Sequence, residues 1–129
     1  MNKEQEMVKQ FHQKYRCMVN DNPTLVDTKT LFLRARLISE EALEFLSAAQ
    51  LEDMEQMVDS LCDLLYVIYG TAVSLGIDLE PFFAEVQRSN MTKDGGGKDS
   101  GGKILKGSQY DPPHFETIFK EQGWNKELK

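Results

Sequence analysis

A chain of 129 residues with 40% hydrophobic residues has the size and composition of one globular domain. Its formal charge of −6 argues against nucleic acid as a general partner, because binding to a phosphate backbone needs a basic surface. Two cysteines, a polar N-terminus and no apolar run near about 18 residues predict a cytoplasmic protein with reduced, packed thiols that does not span a membrane.

Four helices are predicted along the first 90 residues. From apolar periodicity and turn residues we place them at about 4–19, 28–50, 54–75 and 79–90. Gly76 can stop the third helix, and Asp78 can cap the fourth. Residues 61–69 of the third helix are apolar on nearly all sides, which predicts a buried central helix and a homodimer or homotetramer that covers it.

Composition changes abruptly after the fourth helix. Five of the ten residues at 94–103 are glycine, which predicts a flexible loop or the tip of a loose hairpin, and we expect residues 91–107 to be mobile. Two prolines then precede a short helix at about 114–122. Residues 1–129 are therefore interpreted as one all-α domain, with a four-helix-bundle-type core, the glycine-rich segment and a short C-terminal helix.

Charge is distributed unevenly along the chain. Residues 37–87 contain no lysine or arginine and eleven acidic side chains, whereas residues 88–106 contain five basic and two acidic ones. A carboxylate packed without a basic partner is normally protonated, solvated or bound to a cation. An acidic centre next to a basic segment is the arrangement expected where a metal ion and a polyanion bind in one site.

Two carboxylates of the second helix are predicted to face the core. At about 100° per residue, Glu41 lies in the middle of the apolar stripe and Glu44 lies one turn further along it. Their Cβ atoms are then about 5–6 Å apart. Glu40 lies at the edge of the stripe, four residues after Arg36, and is interpreted as half of an exposed ion pair.

Asp59 and Asp63 form a second acidic pair, on the third helix. They share a face with polar residues such as Gln56 and Ser60, so a solvated polar face is one interpretation. The apolar residues 64–69 that follow Asp63 favour the other interpretation, in which acids of both helices bind a metal ion or a ligand.

The types of these side chains indicate which ion they suit. Carboxylate oxygens without histidine or thiolate favour a hard divalent ion, Mg²⁺ or Mn²⁺, over zinc. Mg²⁺ is commonly shared between a protein and substrate phosphates, so the acidic helices indicate phosphate chemistry. The lysines in and around the glycine-rich segment suit such a polyanion. They are Lys93, Lys98, Lys103 and Lys106.

The motifs resemble the all-α nucleoside triphosphate pyrophosphohydrolases of the MazG-like group, which also includes phosphoribosyl-ATP pyrophosphohydrolase. The family motif is Glu-x-x-Glu on one helix and Glu-x-x-Asp on the next. Its first half is present as Glu41-Ala42-Leu43-Glu44 and its second half ends in Asp63, but Ser60 stands at the position of the third acid. The likeness continues through residues 85–93, with Asn-x-x-Lys, and through 102–113, with Gly-Lys-x-x-Lys-Gly-x-x-Tyr.

The resemblance implies hydrolysis of a nucleoside triphosphate between its α- and β-phosphates, with Mg²⁺ or Mn²⁺ as cofactor, to give a nucleoside monophosphate and pyrophosphate. It implies a proton-accepting role for Glu41 or Glu44. The implied metal ligands are Glu41, Glu44, Asp63 and, as a fourth, Asp59. The implied phosphate contacts are Arg88, Lys93, Lys103 and Lys106, with Asn90 and Tyr110 for the sugar or base.

Three other interpretations stay open at this point. Phosphoribosyl-ATP hydrolysis shares the chemistry and differs only in substrate. A non-catalytic module that binds nucleotides or a protein partner is compatible with the departure at Ser60. A di-iron helical bundle needs Glu-x-x-His pairs, and neither His12 nor His114 lies in such a motif.

Overall fold

The computed structural model describes residues 1–124, and these residues form five α-helices, which confirms the all-α prediction. The helices are α1 (Lys3–Tyr15), α2 (Thr28–Gln50), α3 (Met54–Leu75), α4 (Leu79–Asn90) and α5 (Glu116–Glu121). The predicted bounds of α2, α3 and α4 agree with the structure. The short C-terminal helix is present but begins two residues later and ends one residue earlier than predicted.

Local sequence determines most of the helix ends. Asp53 and Asp78 each accept a hydrogen bond from a backbone N–H in the first turn of α3 and α4. Gly76 ends α3 with a left-handed φ of 71°. A Cβ atom at this position would collide with the backbone carbonyl of Asn22, so the turn requires glycine for its conformation and for the space it leaves.

The first helix ends at Tyr15, four residues before the predicted end. The next residue adopts a left-handed conformation, and the N–H of Cys17 donates to the carbonyl of His12 at 2.9 Å. The carbonyl oxygen of Met18 then lies 2.9 Å from His12 Nδ1 and accepts from Ser74 Oγ at 3.0 Å. These contacts with the turn and with α3 replace the final helical turn that apolar periodicity predicts.

The main packing of the fold joins α1 and α2 to α3. Arg34 of α2 is buried against α3, where it donates to Thr71 Oγ1 at 3.2 Å and to the carbonyl of Val67 at 2.9 Å. Gly70 leaves room for this side chain, because a Cβ atom there would collide with the guanidinium of Arg34 and lie 2.9 Å from His12 Nε2. Arg34 therefore sets the register of α2 on α3 one turn away from Asp63.

A second packing unit lies beyond the turn that ends α3. The ring of Phe82 on α4 is 5.1 Å from that of Phe115 and 4.7 Å from that of Phe119 on α5. Gln5 of α1 is fully buried and donates to the carbonyl of Ile77 at 2.6 Å, which ties α1 to the connection between α3 and α4. The aromatic rings hold the C-terminal helix against α4.

The glycine-rich segment forms a small hairpin. Lys98 and Ile104 form an antiparallel bridge, and Asp99 Oδ1 accepts from the N–H of Gly101 at 2.8 Å and of Lys103 at 2.9 Å. A Cβ atom at Gly107 would collide with the carbonyl of Asp94 where the two arms of the hairpin meet. The alternative of a hairpin tip is therefore the one observed, and the mobility of residues 91–107 stays a prediction.

Large apolar side chains of α2 and α3 remain exposed. Leu43 is 62% exposed, Leu61 47% and Leu65 53%. By length and composition alone, α3 is apolar enough to cross a membrane, which corrects the expectation that no such segment is present. In the structure, 28% of its most apolar stretch is buried. Within one copy, α3 is thus less buried than its sequence predicts. The prediction of packed thiols is wrong, since Cys17 and Cys62 are both exposed.

Candidate metal and nucleotide site

Three of the predicted site residues converge where α2 and α3 pack side by side. One carboxylate oxygen from each of Glu41, Glu44 and Asp63 lies within 4.8 Å of the others. Spacing of three residues places Glu41 and Glu44 on one face of α2, and the register set by Arg34 brings Asp63 of α3 opposite them. Glu41 and Asp63 are half-buried, and Glu44 is exposed. We refer to these three side chains as the carboxylate cluster.

Crowding and burial disfavour full ionisation of the carboxylate cluster. Glu41 Oε2 is buried and accepts no hydrogen bond from any described residue. Burial raises the pKa of Glu41 above its usual value, and the neighbouring Glu44 and Asp63 raise it further. Burial, and then the charges of Asp59 and Glu44, raise the pKa of Asp63. A divalent cation would supply the missing counter-charge and a partner for the orphaned oxygen, and an all-oxygen ligand set fits Mg²⁺ or Mn²⁺.

Asp59 and Ser60 lie one turn before Asp63 on α3. Asp59 is exposed and stands outside the group of oxygens that the other three predicted ligands form. Ser60 stands at the position where the family motif has an acid, and it is buried, with an exposed fraction of 5%. The structure therefore brings together three of the four predicted metal ligands, and the charge of Asp59 raises the pKa of one of them, Asp63.

An open groove of about 410 Å³ adjoins the carboxylate cluster, on the side of the α2–α3 turn. Its walls are formed by Leu43, Glu44, Ser47, Gln56, Asp59 and Ser60. Ser47 was not singled out from the sequence, although it follows Glu44 by three residues and so lies on the same helical face. The sequence predicts Gln56 only as a member of the polar face of α3. The groove shares Glu44 with the cluster, so the two adjoin at this side chain.

Glu40 and Arg36 behave as their spacing predicts. Arg36 Nε lies 3.6 Å from Glu40 Oε1, and both side chains are more than half exposed. This exposed pair at a separation of four residues confirms the interpretation of Glu40 as a surface group next to the cluster.

The predicted phosphate-binding residues lie on α4 and the hairpin, and no hydrogen bond or ion pair of the described residues joins them to the carboxylate cluster. Lys93 is half-buried, and Lys103 and Asn90 are exposed. Lys106 Nζ lies 4.8 Å from the centre of the Tyr110 ring. In one copy of the chain, therefore, no hydrogen bond or ion pair of the described residues holds the basic part of the predicted site against the acidic part.

Arg88 has a structural position at the base of the hairpin. Its Nε donates to Glu85 at 2.8 Å, and its Nη1 donates to Asp111 at 2.9 Å. A further bond of 3.1 Å runs to the carbonyl of Pro112. Hydrogen bonding to Arg88 lowers the pKa of Glu85 to about 2. These bonds engage the guanidinium within the protein, so the predicted phosphate contact of Arg88 has no support in this arrangement.

Comparison with known proteins adds one match. The family model described as phosphoribosyl-ATP pyrophosphohydrolase matches residues 8–90, which include all of α2, α3 and α4 and therefore the carboxylate cluster and the groove. No curated protein sequence matches the chain.

Proposed function

Since the chain belongs to the phosphoribosyl-ATP pyrophosphohydrolase family, and is thereby a pyrophosphohydrolase of the MazG-like superfamily, we propose that it hydrolyses nucleoside triphosphates with Mg²⁺ as cofactor. The products would be a nucleoside monophosphate and pyrophosphate. The observation that carries this proposal is the carboxylate cluster, with three oxygens within 4.8 Å and the buried Glu41 Oε2 without a partner. Such a cluster suits an ion shared with substrate phosphates.

Glu41, Glu44 and Asp63 would hold the ion through their carboxylate oxygens. Bound there, Mg²⁺ supplies charge neutralisation for the phosphates and lowers the pKa of water. In the reaction a water oxygen forms a bond to the α-phosphorus, the bond from that phosphorus to the bridging oxygen breaks, and pyrophosphate leaves. The proton of the water passes to Glu41 or Glu44. Bound Mg²⁺ would favour the ionised form of both carboxylates, and only the ionised form accepts a proton.

A panel of ribo- and deoxynucleoside triphosphates with Mg²⁺ tests the proposal directly. We expect a monophosphate and pyrophosphate in equal amounts from at least one of them, and no turnover after chelation of the metal. Orthophosphate in place of pyrophosphate would contradict cleavage between the α- and β-phosphates. Binding of nucleotide without any turnover would favour the non-catalytic module instead.

A second candidate substrate is phosphoribosyl-ATP, which is favoured by the description of the matched family model. It carries the same triphosphate and therefore makes the same demands on the carboxylate cluster. Its addition to the panel separates the two candidates, because a phosphoribosyl-ATP enzyme should prefer it clearly over plain ATP.

We also propose that a second copy of the chain covers the exposed apolar face of α2 and α3. Only 28% of the most apolar stretch of α3 is buried in one copy, and an exposed apolar surface of this kind commonly marks a contact with another protein chain. Residues 37–87 are acidic and residues 88–106 are basic, so the acidic part of one copy can attract the basic part of another. In a two-fold dimer each hairpin can approach the partner's carboxylate cluster, and the contact is made twice.

The hairpin lysines are expected to contribute to substrate binding. We expect Lys93→Ala and Lys106→Ala to raise KM for triphosphate about tenfold each, because a charge-assisted contact to phosphate is lost. Lys98→Ala, at the bridge near the tip of the hairpin, is the matched control and should change KM less. Hydrogen exchange of residues 91–106 with and without a non-hydrolysable analogue measures closure, and equal protection in both states would contradict a lid.

A further inference from the structure

The seam between α2 and α3 is closed on one side of the carboxylate cluster and open on the other. Towards the start of α2 it is filled by Arg34, which is 8% exposed and hydrogen-bonded to Thr71 and Val67. Towards the α2–α3 turn it widens into the groove of about 410 Å³. A substrate whose phosphates lie at the cluster can therefore extend along the seam only into the groove.

Most of the side chains that line the groove are polar, and one of them is a serine of low exposure. Ser60 is 5% exposed and lines the groove. A serine hydroxyl can both donate a hydrogen bond to a polar group of a ligand and accept one from it. The volume of the groove lies in the range of small-molecule sites. The volume and the polar lining of the groove thus suit a small polar molecule.

Two further side chains of the groove define what it recognises. Asp59 lies in the wall but outside the group of metal-ligand oxygens, and an ionised carboxylate only accepts hydrogen bonds. Gln56, one turn earlier on α3, offers both a donor and an acceptor. Together they complement a donor next to an acceptor, which is the pattern of an exocyclic amino group beside a ring nitrogen.

We propose that the groove binds the base of the nucleotide, and that Asp59 and Gln56 select cytosine and adenine over uracil and thymine. This inference rests on the proposed function, because it assumes that the phosphates lie at the carboxylate cluster. Cytosine and adenine present an amino group beside a ring-nitrogen acceptor on their pairing edge. Uracil and thymine present a carbonyl oxygen at the same place, which would face the acceptor-only carboxylate of Asp59.

The test measures binding and turnover separately. Binding of the α,β-methylene analogues of CTP, ATP and UTP with Mg²⁺ is measured by calorimetry, and hydrolysis of the natural triphosphates is measured in parallel. We expect the wild-type protein to bind the CTP and ATP analogues about tenfold more tightly than the UTP analogue. Asp59→Asn, whose amide can donate to a carbonyl oxygen, should reduce this ratio to about onefold or reverse it.

Glu55→Gln is the matched control, because Glu55 is an exposed acid of α3 that does not line the groove. It should leave the preference unchanged. Equal binding of the three analogues, or an unchanged preference in Asp59→Asn, would overturn the inference even if hydrolysis is observed. An equal loss of binding of all three analogues in Asp59→Asn would also overturn the inference, and would favour Asp59 as a metal ligand. If Asp59→Asn changes the binding preference but no triphosphate is hydrolysed, the result would support base binding in the groove and overturn the proposed activity.

Discussion

Glu41→Gln and Asp63→Asn are each expected to lower turnover by about 100-fold or more while the helical circular-dichroism signal stays unchanged. Both side chains belong to the carboxylate cluster, and loss of a residue that only supports a metal ligand already costs about 10–100-fold. Glu40→Gln is the matched control, because Glu40 is the neighbouring acid but forms an exposed pair with Arg36. Turnover close to wild type in either cluster variant would show that the carboxylate binds no essential metal.

The same two variants should be at least as stable as the wild-type protein in the absence of metal. Burial and neighbouring acids raise the pKa of Glu41 and of Asp63, so the folded protein binds protons more tightly than the unfolded chain. The contribution of these two groups to the unfolding free energy of the metal-free protein therefore falls as pH rises from the usual carboxyl pKa through the raised one. Glu41→Gln should weaken this dependence. Urea unfolding of the wild type and of Glu41→Gln between pH 4 and 8 measures the difference, in which other groups such as His12, whose pKa burial lowers, cancel. A difference that does not change with pH would contradict the assignment.

Leu65→Asp is expected to convert a dimer or tetramer into a monomer. Leu65 lies on α3, two residues after Asp63 and therefore on a different face of the helix, and is 53% exposed in a single copy. A charge in a contact between apolar helix faces cannot be solvated there, so association should be lost. Light scattering at micromolar concentration measures the oligomeric state. Turnover should fall as well, because within one copy no described contact joins the hairpin lysines to the cluster.

Met7→Asp is the matched control for this experiment, since Met7 lies on α1 and has the same exposed fraction as Leu65. Mixing Glu41→Gln with a Lys103→Ala, Lys106→Ala double variant tests whether two copies share a site. Recovery of turnover in the mixture would support hairpins that act on the partner. A wild-type protein that is an active monomer at micromolar concentration would contradict the proposed second copy.

The sequence alone determined the local structure and the chemical type of the site. Apolar periodicity and the capping residues Asp53, Gly76 and Asp78 were enough to predict α2, α3 and α4, because these signals act within one or two turns. Spacing of three residues was enough to place Glu41 and Glu44 on one helical face. The absence of histidine and thiolate in the motif was enough to predict an oxygen-liganded divalent ion.

Only the tertiary structure decided which acids meet and what surrounds them. Asp59 and Asp63 both lie on the polar side of α3, and it is the register set by Arg34 that brings Asp63 and not Asp59 into the carboxylate cluster. Contacts with α3 end α1 at Tyr15, and the exposure of Cys62 shows that α3 keeps an open face in one copy. Helical periodicity gives the direction of a side chain around its own axis, whereas burial and convergence depend on the position of a second helix.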